Sequence, residues 1–429
     1  MRVSWRLDDC CLLRVAWLAV VAALVLTTAA RGADPGPAVP ARMIVVAIAD
    51  NAEAAPTAGS TPRGYVGLPN YSGSDRAVAE GAHLARDYGL HEISAWTIDP
   101  LRLRCMLFEL APDADRESVL THLHADDRVR LAQPLQSFDT LTAALPDGGA
   151  SVSGYNDPYV GLQHGFSAIG AAQAQRFAHG DGVKIALIDT GIDAGHPDLA
   201  GRVATQRDFV TGASNAPALD RHGTEVAGVI AAVANNGLGI AGIAPGVRLY
   251  SYRACWPIAI DTDPARCNTY TLAQALAAAI ASGARVINLS LGGPPDPLLA
   301  ELTTYALGHG AIVVGAVPPD GRMDGFPVDV PGVIAVTDGS VVPQAGSALI
   351  APGQDILTLE PGGRYDYASG SSLSTAHVSG AIALLVGVEP RLDAQAAFAL
   401  LRDSEHGANA SINVCQAVLA TGRERGSCR

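Results

Sequence analysis

Between residues 183 and 336 the chain repeats one pattern: short runs rich in Val, Ile, Leu and Ala, the first three of them each followed by a longer stretch of helical periodicity. The runs cover 183–188, 247–252, 286–289, 311–317 and 333–336, with helical patterns at 222–233, 271–282 and 297–308. A strand with apolar residues at consecutive positions has no face to give to water, so both of its faces must be covered. The pattern therefore predicts a doubly wound α/β domain, built on a mostly parallel sheet with helices on both sides and occupying 156–429. In such a sheet, ligands bind beyond the carboxyl ends of the strands, which places the chemistry before any motif is considered.

A different order precedes it. Residues 43–48 read as a strand, 51–75 as a turn-rich loop, 77–88 as a helix, 91–97 and 102–110 as strands, 116–125 as a helix and 129–138 as one last strand. That is a split βαββαβ arrangement, a small α+β domain over 34–140. The Gly- and Pro-rich stretch 141–155 is the linker between the two domains. Residues 1–30 read as a signal peptide, with arginines, an apolar run over 15–26 and small residues at Thr28 and Ala30. The run is short for a membrane span, so export to a secreted or periplasmic location is expected over an uncleaved anchor.

With 42 acidic and 29 basic side chains, a net charge of −13 argues against a nucleic-acid or anionic-membrane partner. Seven cysteines are present. Cys10 and Cys11 fall in the leader. Cys255 and Cys267 flank one loop and Cys415 and Cys428 bracket the tail, so each pair is placed to close a short disulfide in an oxidising compartment. Cys105 is left over in an apolar run and is expected as a buried thiol. No Cys/His cluster has zinc spacing.

Residues 369–380, which contain Gly370-Ser371-Ser372, run directly into the apolar segment 381–386, so Ser372 stands at or just before a helix start. Serine there is a preferred cap, yet the same position aims backbone N–H groups and the positive end of the helix dipole at charge developing on an attacked group. A serine hydroxyl needs a base, and an imidazole base needs an acid to hold its tautomer. Asp189 closes the first apolar run in Asp189-Thr190-Gly191. His222 opens a helix in His222-Gly223-Thr224. Asp189, His222 and Ser372 together supply an orienter, a base and a nucleophile.

These three segments, with His377-Val378-Ser379-Gly380 after the serine, resemble the signature motifs of the subtilisin family of serine proteases, in the order Asp, His, Ser that subtilisin itself exemplifies. The resemblance covers roughly 157–418. It implies a secreted serine endopeptidase acting on protein or peptide substrates through an acyl-enzyme, as a monomer that requires no cofactor. It further implies that Ser290, Leu291, Gly292 and Gly293 bind substrate as an edge strand. Asp324 and Gly325 would then be loop residues, and Phe326-Pro327 would match an aromatic-Pro pair that is often cis. Asp198 matches a position that ligates calcium in many relatives. The domain over 34–140 would be an inhibitory, folding-assisting prodomain whose last strand and linker occupy the cleft, with autoprocessing somewhere in 141–154.

One departure bears on activity. The family's oxyanion hole pairs the amide of the nucleophilic serine with an asparagine side chain, and here Pro319 falls at that asparagine's place, followed by Asp320. Proline has neither a side-chain donor nor an N–H. Losing such a donor costs roughly a hundred- to a thousandfold in turnover. A peptide-binding pseudoprotease is therefore the alternative expectation. A protonated Asp320 acting as substitute donor would confine activity to acid pH. Leu373 and Ala376 stand where the family usually has methionine and proline.

Overall fold

The computed structural model describes residues 42–50, 75–141, 154–210, 220–258, 265–341, 347–405 and 411–428. The leader at 1–30, the loop over 51–74 and the linker over 142–153 lie outside the described residues.

The N-terminal lobe contains β1 (Met43–Ala49), α1 (Asp75–Asp87), β2 (His91–Ile98), β3 (Leu103–Glu109), α2 (Arg116–His124) and β4 (Val129–Pro134). Its strands form one antiparallel sheet in the order β2-β3-β1-β4. Asp115 caps α2 by accepting from the Ser118 amide at 3.2 Å. Ile44, Val46, Met106 and Phe108 on one face of the sheet pack with Leu84 of α1 and Leu120 and Leu123 of α2. An antiparallel sheet with only that face covered would alternate buried and exposed positions. Here β1 and β3 are buried at six of seven positions, so the second face is covered too.

What covers it comes from the C-terminal domain: α4 (Thr269–Ala281) and α5 (Pro297–Gly308). Trp96 meets Tyr270 of α4 edge-to-face with ring centroids 4.9 Å apart, and the Ser94 hydroxyl lies 3.0 Å from the Tyr270 hydroxyl. The Gln133 side chain accepts from the Leu298 amide in the first turn of α5. Cys105 sits on this buried face as a free thiol, and burial pushes its pKa up to about 12.

The C-terminal domain holds β6 (Lys184–Asp189), β7 (Val203–Asp208), α3 (Arg221–Ala231), β8 (Arg248–Arg253), β11 (Val286–Leu289), β13 (Ile312–Ala316), β14 (Ile334–Thr337) and β15 (Leu349–Ile350). These strands form a seven-stranded sheet in the order β15-β14-β13-β11-β6-β8-β7, with every pairing parallel. The doubly wound expectation is met, and the strands β7 and β15 are additional. Both are edge strands; β7 is polar from Thr205 to Asp208 and β15 is two residues long, so neither carries a continuous apolar run. Helix α6 (Ser371–Val388) crosses the middle of one face, buried from Ser371 to Val386. Its second half, 381–386, is apolar all round as an enclosed helix requires, and the polar side chains of its first half hydrogen-bond within the protein. Two disulfides close, Cys255–Cys267 and Cys415–Cys428.

The last strand of the lobe differs from expectation. The run 129–138 is two strands in two sheets, because β4 ends at Pro134, which has no N–H to continue the ladder. The chain then passes to the other domain: the Gln136 amide donates to Thr269 Oγ1 at 3.0 Å and its carbonyl accepts from the Thr269 amide at 3.1 Å. Strand β5 (Ser137–Thr140) lies antiparallel between two edges of the C-terminal domain, β10 (Ala265–Asn268) and β12 (Leu291–Gly292). A further strand, β9 (Cys255–Pro257), pairs with β10 on its far side.

Candidate active site

β6 ends at Asp189, which is 2% exposed. A carboxylate at that depth needs donors. Its Oδ1 accepts from the Thr190 amide and from His222 Nδ1, both at 2.7 Å. Since the carboxylate can only accept, Nδ1 carries the hydrogen, so the neutral imidazole has its lone pair at Nε2, the tautomer that a base requires.

His222 reaches Asp189 because α3 starts against the loop after β6. The Gly223 amide donates to Thr190 Oγ1 at 3.1 Å, and a Cβ at Gly223 would stand 2.0 Å from the Gly191 carbonyl oxygen. Only a glycine permits that approach. Asp220, the residue before α3, is held by Arg253 at the end of β8, with Nε donating to Oδ2 at 2.6 Å. Burial raises the pKa of Asp220 while Arg253 opposes the rise.

Ser372 lies in the first turn of α6, fully buried. Gly370, at φ 146°, precedes the helix, and neither serine acts as a side-chain cap. Instead Ser371 Oγ donates to the Val317 carbonyl at 2.7 Å, tying the helix start to the end of β13. Ser372 Oγ donates to the Leu141 carbonyl at 2.8 Å. Beneath the serine lies a chain of buried side chains that the sequence did not disclose. Ser379 Oγ donates to Asn288 Oδ1, Asn288 Nδ2 donates to Ser290 Oγ, and Ser290 Oγ donates to the Ser372 carbonyl at 3.0 Å. Ser290 is thus turned toward the helix, while Leu291 and Gly292 form the strand that pairs with β5. The Asn-x-Ser spacing on β11 was the available signal, hidden inside an apolar run. His377, the other histidine of this helix, is buried, donates to the Leu373 carbonyl, and burial lowers its pKa to about 4, so it is a neutral core residue.

Beside Leu141 opens a cavity of about 370 Å³ lined by Gly292, Gly293, Pro318, Asp320, Asp324 and Gly325 among others. Leu141 Cδ1 lies 3.4 Å and Pro318 Cγ 3.3 Å from where a Gly292 Cβ would be. The peptide bond Phe326–Pro327 is cis. No asparagine or glutamine side chain lines the cavity among the described residues; Pro319 and Asp320 are exposed at its edge. Asp320 Oδ1 accepts from the Arg322 amide.

Asp198 does not suit a calcium ion. It is fully buried, its Oδ1 accepts from Asn236 Nδ2 at 2.7 Å, and its Oδ2 accepts from the Ile240 amide at 2.9 Å and from the Tyr365 hydroxyl at 3.3 Å. Oxygens committed to three protein donors are not placed as ligands of a hard cation. No group of three or more His, Cys, Asp or Glu side chains gathers elsewhere among the described residues.

A family model described as the subtilase family matches residues 180–416. Thermitase of Thermoactinomyces vulgaris is 38% identical over 247 residues, covering 54% of this chain and 84% of thermitase. A thermophilic serine proteinase of Bacillus sp. strain AK1 is 36% identical over 281 residues, covering 63% of this chain and 66% of that protein. Subtilisin E of Bacillus subtilis strain 168 is 36% identical over 228 residues, and the chain spans 57% of its length. Among solved structures, fervidolysin of Fervidobacterium pennivorans, a keratinolytic enzyme, has a TM-score of 0.67 at 21% identity over 88% of this chain and 61% of its own, a likeness of fold.

Replacing Gly223 by alanine is expected to cost about 1–3 kcal/mol of stability through overpacking. By displacing His222 it should also lower kcat/KM about a hundredfold. Thermal unfolding and peptide hydrolysis measured on the same preparation check both.

Proposed function

The chain belongs to the subtilase family and is a subtilisin-like serine endopeptidase, and on that premise we propose that Asp189, His222 and Ser372 are its catalytic triad and that the precursor cuts itself after Leu141. In this reading Ser372 Oγ attacks the Leu141 carbonyl carbon as His222 Nε2 takes the hydroxyl proton. The tetrahedral intermediate collapses, the Leu141–Thr142 bond breaks, and the Thr142 amine leaves with the proton returned by His222. Water then hydrolyses the Leu141 ester by the same base. Asp189 holds the Nδ1 tautomer and stabilises the imidazolium.

The observation that carries this reading is the 2.8 Å hydrogen bond between Ser372 Oγ and the Leu141 carbonyl, at the end of a strand seated between two edges as an extended substrate would be. The lobe over 42–140 then acts as a prodomain, delivering its own C-terminal strand to the cleft. Residues 142–153 on the other side of the bond lie outside the described residues. Two disulfides and the leader pattern at 1–30 support export to an oxidising compartment, either secreted or periplasmic.

The oxyanion is held by the amide of Ser372 and the N-terminal end of α6, without a side-chain amide from the loop at Pro319. Turnover is accordingly slow relative to a site with that donor. A purely peptide-binding protein, the reading that Pro319 motivates, has no use for a base hydrogen-bonded in the catalytic tautomer.

Mass spectrometry of the wild-type protein and of Ser372→Ala tests processing. The wild type should begin at Thr142 and the variant should remain a single uncut chain; identical processing in both would overturn the self-cleavage reading. Pro319→Asn should raise kcat by about a hundredfold with KM little changed, measured on a fluorogenic peptide.

A further inference from the structure

The docked strand presents each side chain to a different environment. Counting back from the Leu141 carbonyl at Ser372, Thr140 is second, Asp139 third and Phe138 fourth. Phe138 is fully buried, edge-to-face with Phe326 at 5.7 Å and pressed onto Gly293. Thr140 Oγ1 accepts from the Ala265 amide at 3.0 Å. Asp139 stands opposite Arg266 in the β5–β10 register, and Arg266 Nε donates to Asp139 Oδ1 at 3.0 Å.

Among the described residues, the other side-chain charge pair at this cavity is internally matched. Arg322 and Asp324, which line the same cavity as Asp139, pair with each other through two hydrogen bonds of 3.0 and 2.8 Å. The backbone that carries Arg266 is held on the side away from the docked strand: β10 pairs with β9, and the next residue, Cys267, is bonded to Cys255 of that strand. The guanidinium therefore projects from a fixed edge over the third residue of whatever strand occupies the cleft.

Resting on the triad reading, we propose that Arg266 is a specificity residue: it reads the third residue before the scissile bond and favours a carboxylate there, so preferred substrates are extended peptides with an acidic side chain at that position. Both partners are about half exposed, at 46% and 54% of their side chains, so solvent screens the attraction. An exposed pair of this kind supports a preference of about fivefold. A lysine in the same place is repelled instead of attracted, which widens the acid-to-lysine ratio to about tenfold. Screening removes most of it at high salt.

The test uses the processed protein and fluorogenic peptides Phe-Xaa-Thr-Leu with Xaa as Asp, Asn or Lys. At low salt the order of kcat/KM should be Asp, then Asn, then Lys, and the spread should shrink as sodium chloride is added. Arg266→Glu should invert the order, hydrolysing the Lys peptide faster than the Asp peptide. The salt titration on the wild type stands by itself should the variant fail to fold. Equal rates for Asp and Lys at low salt, or an unchanged order in folded Arg266→Glu, would overturn the assignment of Arg266 and leave the triad reading intact. No hydrolysis of any peptide, together with no labelling by a fluorophosphonate, would overturn the triad reading and this inference with it.

Discussion

The hydrogen bond between buried Asp189 and buried His222 is the contact on which the rest of the site depends. A carboxylate withdrawn from water costs several kcal/mol unless donors replace the solvent, and Asp189 Oδ1 takes two of them. The geometry that allows this is dictated by the fold. β6 must stop at the carboxyl edge of the parallel sheet, and α3 must start within van der Waals reach of the following loop. Gly223 against the Gly191 carbonyl makes that second condition possible, since any side chain there would hold the two elements apart.

The same edge positions Ser372. α6 begins beside the ends of β11 and β13, and two hydroxyls fasten it there: Ser371 to the Val317 carbonyl, and Ser290 to the Ser372 carbonyl. Such a buried polar chain is costly unless every member is satisfied, and Ser379, Asn288 and Ser290 satisfy one another in series. In the proposed reaction, with Pro319 contributing no donor, the burden of holding negative charge would pass to the backbone at this helix start. A rigid helix start is therefore worth more here than where a side-chain amide shares the work.

Much of this was legible in the sequence. Continuous apolar runs identified the parallel sheet, because strands covered on both faces have no alternation to hide. Asp189 and His222, singled out by their flanking glycines and by what each lacks chemically, stand 2.7 Å apart, and Ser372 stands in the first turn of α6 as its motif suggests. The path of 129–140 was not legible: one apolar-rich run reads as one strand, and only the backbone partners at Gln136 and Thr269 show that it changes sheets. The Asn288–Ser290–Ser379 chain was missed for the same reason, since polar residues inside an apolar strand give no sign of what they face. Asp198 misled in the opposite direction: a carboxylate in a family calcium position looks like a ligand until the donors from Asn236, Ile240 and Tyr365 are placed around it.

The central claim is that Ser372 is a nucleophile activated by His222. Labelling of the folded, processed protein with a fluorophosphonate, followed by peptide mapping, tests it most directly. The account predicts a single adduct on Ser372, forming rapidly in the wild type and at a rate reduced by orders of magnitude in His222→Ala. No adduct on Ser372, or one whose rate is indifferent to His222, would contradict it.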